Sequence, residues 1–230
     1  MNIKDIKDIK DLSDLKGKKF IASYSGGKDS ILALYRALES GLEPLELITA
    51  YNTDADRSWF HGLSENIIKK VSDSLAIPVK LIKTSGEEYE ENFEKALANA
   101  KSRGAEVCVF GDIDIDAHLE WCGLRCEKTG LIPYFPLWKE ERKKIVWEFI
   151  DSGFLAIITI VNTSKLSKDF MGQILSREAA DSIERSGADI CGENGEYHTF
   201  VFDGPLFKNK IDIEVKEKFE RDKYVIMDIN

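Results

Sequence analysis

Cysteine is scarce. The four in this chain of 230 residues (Cys108, Cys122, Cys126 and Cys191) are too few and too scattered for a disulfide framework, so reduced thiols are expected. Long apolar runs are missing as well. The longest, from Phe154 to Val161, falls far short of the ~20 residues that span a bilayer, so no membrane partner is expected. The N-terminal segment is punctuated by Lys and Asp and lacks the apolar stretch of a secretory signal, which makes the cytoplasm the expected compartment. A basic excess is also absent: 32 Lys plus Arg stand against 41 Asp plus Glu, a net charge of −9. Broad contact with DNA or RNA needs many cations to neutralise phosphates, so nucleic acid is not an expected partner. Histidine is rarer still, with three in the chain. One of them, His118, falls at helical spacing with Cys122 and Cys126. On a single helix the outer two lie about 12 Å apart along the axis, whereas ligands of one zinc each sit about 2.0–2.3 Å from it. That helix alone therefore makes no zinc site.

What is present is enough to fold. With 43% hydrophobic residues the chain can bury a core, and at this size about 70% of the unfolded surface should be hidden. Residues 1–19 step through Ile3, Ile6, Ile9, Leu12 and Leu15. A three-residue step falls behind an α-helix by about 60° each time, so this segment reads as an N-terminal arm or short helix. It is also locally basic, with six Lys against four Asp, which leaves the acid excess to the remaining residues.

From Phe20 onward strand-like and helix-like stretches alternate: strands at 20–24, 45–52, 79–83 and 106–110, helices at 29–40, 64–75 and 88–103. That grammar predicts an α/β fold, a Rossmann-like parallel sheet covered by helices, over residues 20–133. After Gly130 the pattern changes. Helices at 140–152 and 177–186 and strands at 156–161, 199–202, 211–217 and 224–229 predict a smaller α+β substrate domain over 134–230. In the third of those strands Ile211, Ile213 and Val215 alternate with Asp212, Glu214 and Lys216, the period of a half-exposed antiparallel strand.

The sharpest motif is Ser25-Gly26-Gly27-Lys28-Asp29-Ser30, between the first strand and first helix. Two glycines let the backbone approach an anion without a Cβ in the way. The helix behind them offers unpaired N–H groups and the positive end of its dipole, Lys28 adds a point charge, and Ser25 and Ser30 add hydroxyls. Together they describe a phosphate cradle. It is neither a Walker A loop, since Asp29 follows Lys28, nor a dinucleotide fingerprint, since only adjacent glycines are present.

This loop resembles the signature of the PP-loop ATP pyrophosphatases, which bind ATP on a Rossmann-like sheet and cleave it between the α and β phosphates. The resemblance implies that Ser25 to Ser30 hold the departing pyrophosphate and that Asp29 lies near Mg²⁺. Ligands of open α/β sheets sit at the carboxyl ends of the strands. There the backbone of Ala50, Tyr51 and Asn52 is a candidate to pair with adenine. Gly111 and Asp112 end the fourth strand, where Asp112 is a candidate for Mg²⁺ or substrate, and Asp114 for either substrate or a helix cap. His61, in Trp59-Phe60-His61-Gly62, is a candidate to stack or hydrogen-bond beside the nucleotide.

Near the C-terminus stands Cys191-Gly-Glu-Asn-Gly-Glu-Tyr-His-Thr-Phe-Val-Phe-Asp-Gly-Pro205. Glu193 and Glu196, followed by Tyr197, His198 and Thr199, suit the orientation of an ammonium-bearing group or the removal of a proton from an attacking amine. With the phosphate loop, Gly111-Asp112-Ile113, Phe135-Pro-Leu-Trp138 and Ser152-Gly153-Phe154, this motif resembles the diphthine-ammonia ligase family. The resemblance implies a ligase that uses ATP and Mg²⁺ to adenylate the carboxylate of diphthine, on elongation factor 2, for amidation by ammonia. Lys28, Asp29, Asp112, Glu193 and Glu196 would be catalytic, and Asp114 and the stretch from Glu193 through Asn194, Gly195, Glu196, Tyr197 and His198 to Thr199 would meet the acceptor.

Two residues depart from the family pattern, Asn194 where it has glycine and His198 where it has glutamate, and Asp116-Ala117-His118 departs too, so the acceptor stays open. The alternatives are another acceptor, such as tRNA or a small carboxylate, or a nucleotide-binding sensor without turnover. Thiolation of tRNA usually needs a placed cysteine pair, and none is evident. The span leaves no room for a glutaminase, so free ammonium or a partner protein is the expected nitrogen donor. The oligomeric state, a homodimer included, is open.

Overall fold

A computed structural model describes residues 12–230; the expected arm lies mostly outside the described residues, apart from a short 3-10 turn at Leu12–Leu15. The chain divides into two compact units. The first holds residues up to Ser25, Asp29–Trp59 and Ile77–Lys139, and the second holds Gly26–Lys28, Phe60–Ala76 and Glu140–Asn230.

The first unit is built on a sheet of six strands: β1 (Lys19–Ser23), β2 (Glu43–Asn52), β3 (Arg57–Ser58), β4 (Val79–Thr84), β5 (Val107–Val109) and β6 (Ile132–Tyr134). The parallel strands run in the order β4, β2, β1, β5, β6. Phe20, Ile21 and Ala22 of β1 and all three residues of β5 are buried, as expected where helices cover both faces of a parallel sheet. Consecutive strands move outward from β1 through β2 to β4, then reverse to β5. The topological switch therefore falls between β1 and β5, where open α/β sheets place their ligands. Helices α1 (Lys28–Glu39), α3 (Tyr89–Ser102) and α4 (Asp116–Thr129) belong with this sheet, apart from Lys28. The last of them stops at Gly130, whose φ of 71° is the left-handed turn that glycine adopts cheaply.

The second unit has a four-stranded sheet in the order β8, β7, β10, β9, from β7 (Leu155–Asn162), β8 (Tyr197–Asp203), β9 (Val215–Arg221) and β10 (Tyr224–Ile229). Every neighbouring pair is antiparallel. Three helices accompany it: α2 (Glu65–Leu75), α5 (Arg142–Asp151) and α6 (Arg177–Arg185). Ser64 caps α2 by accepting the Ile67 N–H at 3.2 Å, and Ile67, Ile68, Val71 and Leu75 form its buried stripe.

Three sequence expectations change here. Pro133 sits in β6, a short strand that the proline obscured. The strand expected at 211–217 starts later and runs further: Glu214 and Asn230 exchange backbone hydrogen bonds at 2.9 Å, β9 spans Val215–Arg221 with all seven residues exposed, and Ile211 ahead of it is buried (3% exposed) and donates its N–H to Phe202 O. The helix at 65–75 groups with the antiparallel unit rather than with the parallel sheet.

Candidate active site

In the first unit, the loop after β1 and the loop after β5 meet at the switch point. Ser25 Oγ lies 3.2 Å from Ser30 Oγ across the base of the phosphate loop. A Cβ on Gly111 would stand 2.9 Å from both Asp29 C and Ser30 N, so only glycine lets the end of β5 pack against the first turn of α1. Asp112 follows. Its Oδ1 is 3.1 Å from His118 Nδ1 and its Oδ2 is 4.0 Å from Cys122 Sγ. Helix α4 is preceded by Ile115, whose side chain makes no cap, and the Asp114 backbone oxygen accepts from Lys139 Nζ at 3.1 Å. Cys126 is fully buried beside Cys108 while His118 stays exposed, and the zinc-like spacing does not converge on a point.

The end of β2, where an adenine contact is expected, is largely paired. Along one edge of β2, Leu47 to Asn52 pair with β4. Along the other, Tyr51 and Asn52 pair with β3, and Trp59 N–H donates to Ala50 O at 3.1 Å. Tyr51 and Asn52 are thus paired on both edges, and the Ala50 carbonyl is taken by Trp59.

In the second unit, Gly26–Lys28 are stitched to β8. Val201 N–H donates to Gly26 O at 2.9 Å, and Lys28 N–H donates to Thr199 Oγ1 at 3.1 Å. Gly26 has φ 91°, and a Cβ there would collide with Leu63 Cδ1 at 2.4 Å. Gly27 carries the His61 ring against its Cα: a Cβ would lie 2.5 Å from His61 Cε1. His61 Nδ1 is 2.9 Å from Thr199 O; a carbonyl only accepts, so Nδ1 carries the proton. His198 meets His61 edge-on with centroids 5.0 Å apart. The Lys28 side chain is buried (4% exposed), with Nζ 5.8 Å from the Tyr197 ring centroid.

Both imidazoles are held neutral. Burial first, then His198 and Lys28, pull His61 down to about 3, against a lesser upward pull from its bond to Thr199. Burial and then Lys28 pull His198 down to about 4. The unfolded chain takes up protons below pH 6.5 while the folded one does not, so stability falls as pH drops from 6.5 toward 4. Each histidine can contribute at most about 1.4 kcal/mol per pH unit. Urea unfolding at pH 6.5 and 5.0, a window above most carboxylates, should show this loss, and His198→Asn should reduce it; an unchanged midpoint in the parent protein would rule it out.

The acceptor motif is a loop held by two carboxylates. Glu196 is buried, accepting from Asn194 N–H at 3.1 Å and Asp189 N–H at 3.4 Å. Asp189 accepts from Cys191 N–H and Glu193 N–H, both at 3.0 Å, and pairs with Arg142. Gly195 has φ 78°, and Tyr197 Oη donates to Ile190 O at 2.6 Å. Asn194, in the place of a family glycine, offers Oδ1 to Arg142 at 3.4 Å. Asp189 and Arg142 escaped sequence reasoning because the first lies just outside the motif and the second 47 positions away. Of the expected residues, Gly26, Gly27, Lys28, His61, Tyr197, His198 and Thr199 come together in this unit, and Ser25, Asp29, Ser30, Gly111 and Asp112 in the other.

Comparison with known proteins gives two matching family profiles. The diphthamide synthase N-terminal domain matches residues 18–133 and the diphthamide synthase C-terminal domain matches residues 141–230. Among curated relatives, diphthine–ammonia ligase of Homo sapiens is 27% identical over 222 residues, covering 85% of this chain and 83% of that protein. Its namesake in Danio rerio is 24% identical over 223 residues, covering 86% of this chain and 88% of the relative. A solved structure described as a predicted subunit of tRNA methyltransferase from Methanocaldococcus jannaschii superposes with a TM-score of 0.47 at 15% identity, over 84% of this chain and 100% of that one.

Proposed function

The chain belongs to the diphthamide synthase family, and from that premise we propose that it is an ATP-dependent, AMP-forming amide ligase whose acceptor is the carboxylate of diphthine. The observation that carries this reading is the stitching of Gly26–Lys28 onto β8 through Thr199 and Val201. It joins the phosphate loop to the strand that opens with the acceptor motif, so nucleotide and acceptor chemistry share one element. Residues 20–133 would bind the nucleotide and 134–230 the acceptor, in the cytoplasm.

Within that reading, Lys28 and the first-turn amides of α1 neutralise charge on the leaving pyrophosphate. Asp29 and Asp112 are hard oxygen donors of the kind Mg²⁺ takes, and Asp112 keeps lone pairs beyond those facing His118 and Cys122. They would hold the ion, which when bound supplies further charge neutralisation. Glu193 orients the incoming ammonium, or takes its proton. Glu196, whose two oxygens already face loop amides, positions that loop. His61 fixes Thr199 and shields the loop from water.

Incubation with ATP, Mg²⁺, ammonium and a diphthine-bearing elongation factor should yield AMP, pyrophosphate and the amide. ADP and phosphate as products would refute an adenylating ligase. A second reading, a different carboxylate acceptor, is favoured by His198: a neutral imidazole stands where the family pattern has an acid, so the local charge presented to the acceptor differs. AMP formation that depends on some other carboxylate, and not on diphthine, would select it.

A further inference from the structure

The edge strand β9 is exposed along its whole length, on both faces, and reads Val215-Lys-Glu-Lys-Phe-Glu-Arg221. Natural edge strands carry charges that discourage pairing with other chains. Here the order of the charges does something more specific. About Phe219 they are antisymmetric: Lys218 mirrors Glu220, and Glu217 mirrors Arg221. We propose that a second copy of this chain pairs antiparallel along β9, with a two-fold axis at Phe219, so that two four-stranded sheets join into one of eight strands.

The backbone is phased for it. Arg221 and Tyr224 flank a two-residue turn in which Asp222 has φ 53°, as in the tight turns that suit hairpins. The flanking pair of such a hairpin exchanges hydrogen bonds, and so, alternately, do Phe219 with Ile226 and Glu217 with Asp228. Lys218 and Glu220 consequently aim their N–H and C=O groups away from β10. In the proposed pairing these two residues lie opposite each other twice, giving four backbone hydrogen bonds, and Phe219 faces its own copy in the close, non-hydrogen-bonded position between them.

Other symmetric registers meet like charges. Centring on Lys218 sets Lys218 against itself, centring on Glu220 sets Glu220 against itself, and centring on Glu217 opposes Lys216 to Lys218. Of the registers centred on Lys216 to Arg221, only the Phe219 register makes every charged pair opposite in sign, so the same charges that reject wrong registers accept this one. The apolar side agrees. Phe219, 38% exposed, lies opposite Ile226, which lies opposite Ile160, which lies opposite His198. Pairing through Phe219 would extend this row of side chains from one copy to the next.

The test is sedimentation equilibrium of the full chain across a wide concentration range. The parent protein should approach twice the single-chain mass, and more weakly as salt rises. Lys218→Glu creates two Glu–Glu contacts and should weaken association by about tenfold or more. Adding Glu220→Lys should restore it. Inside the chain these residues face Met227 and Val225, so neither change opposes a charge across the hairpin. If Lys218→Glu fails to fold, Arg221→Glu and its rescue by Glu217→Arg pose the same question. A parent chain that stays at single mass at ~1 mM, far above weak dissociation constants, overturns the proposal. So does a folded double variant that fails to recover association.

Discussion

Gly111→Ala is expected to lower pyrophosphate release by about a hundredfold while leaving the secondary structure intact. The added methyl would sit 2.9 Å from Asp29 C and Ser30 N and 3.0 Å from Asp29 O. These are backbone atoms of the first turn of α1, which cannot rotate aside as a side chain can. Either β5 retreats or the start of α1 shifts, and a displacement near 1 Å at a reacting centre costs roughly 10²-fold. A control separates activity from stability. Gly104, past the end of α3, has φ 99° and open space around its Cα. Gly104→Ala should therefore cost about 1 kcal/mol of stability from backbone strain and leave turnover unchanged at ambient temperature. Steady-state pyrophosphate assays beside thermal unfolding decide the matter. Equal activity losses in both variants would show that Gly111 matters only for folding.

That contrast also marks where the sequence was legible. The glycines of the phosphate loop announced themselves because strand, turn and helix followed in order, and each has a steric reason: Leu63 against Gly26, His61 against Gly27. The parallel sheet was legible through buried runs such as Phe20 to Ala22, which need no partner to be recognised. The start of the strand expected at Ile211 was misplaced because two-residue alternation reports which side chains face inward, not which neighbour they pack on; Ile211 is buried with its N–H on Phe202 O of β8. The pairing at the end of β2 was hidden for a related reason. A two-residue strand such as β3 is too short to show a period, and it occupies the edge beside Tyr51 and Asn52. Glu196 was visible as a carboxylate in a functional motif. Its use as an acceptor for loop amides depends on the three-dimensional path of residues 189–196, which no spacing rule conveys.

The phosphate loop and the histidine pair also make Lys28 the residue whose charge is most informative to remove. Lys28→Met keeps the backbone N–H that donates to Thr199 Oγ1 and much of the side-chain volume, which a buried position requires. Only the ammonium is lost. If that charge neutralises the leaving pyrophosphate, turnover should fall by about 10²–10³, the scale for losing one aimed electrostatic donor, with kcat affected more than the KM for the acceptor. A second consequence is independent of catalysis. Lys28 helps hold His198 at about 4 and His61 at about 3, so without it both imidazoles should titrate at higher pH. Burial, the larger cause, remains, and neither should return to its unfolded value. The folded protein would then accept protons more readily in acid, and the stability lost between pH 6.5 and 4 should shrink. Proton NMR of the imidazole Cε1–H resonances reads the first effect and urea unfolding the second. Raised imidazole midpoints with unchanged pyrophosphate release would make Lys28 a structural cation of the histidine pair, and the phosphate-binding role would have to move to the amides of α1 alone.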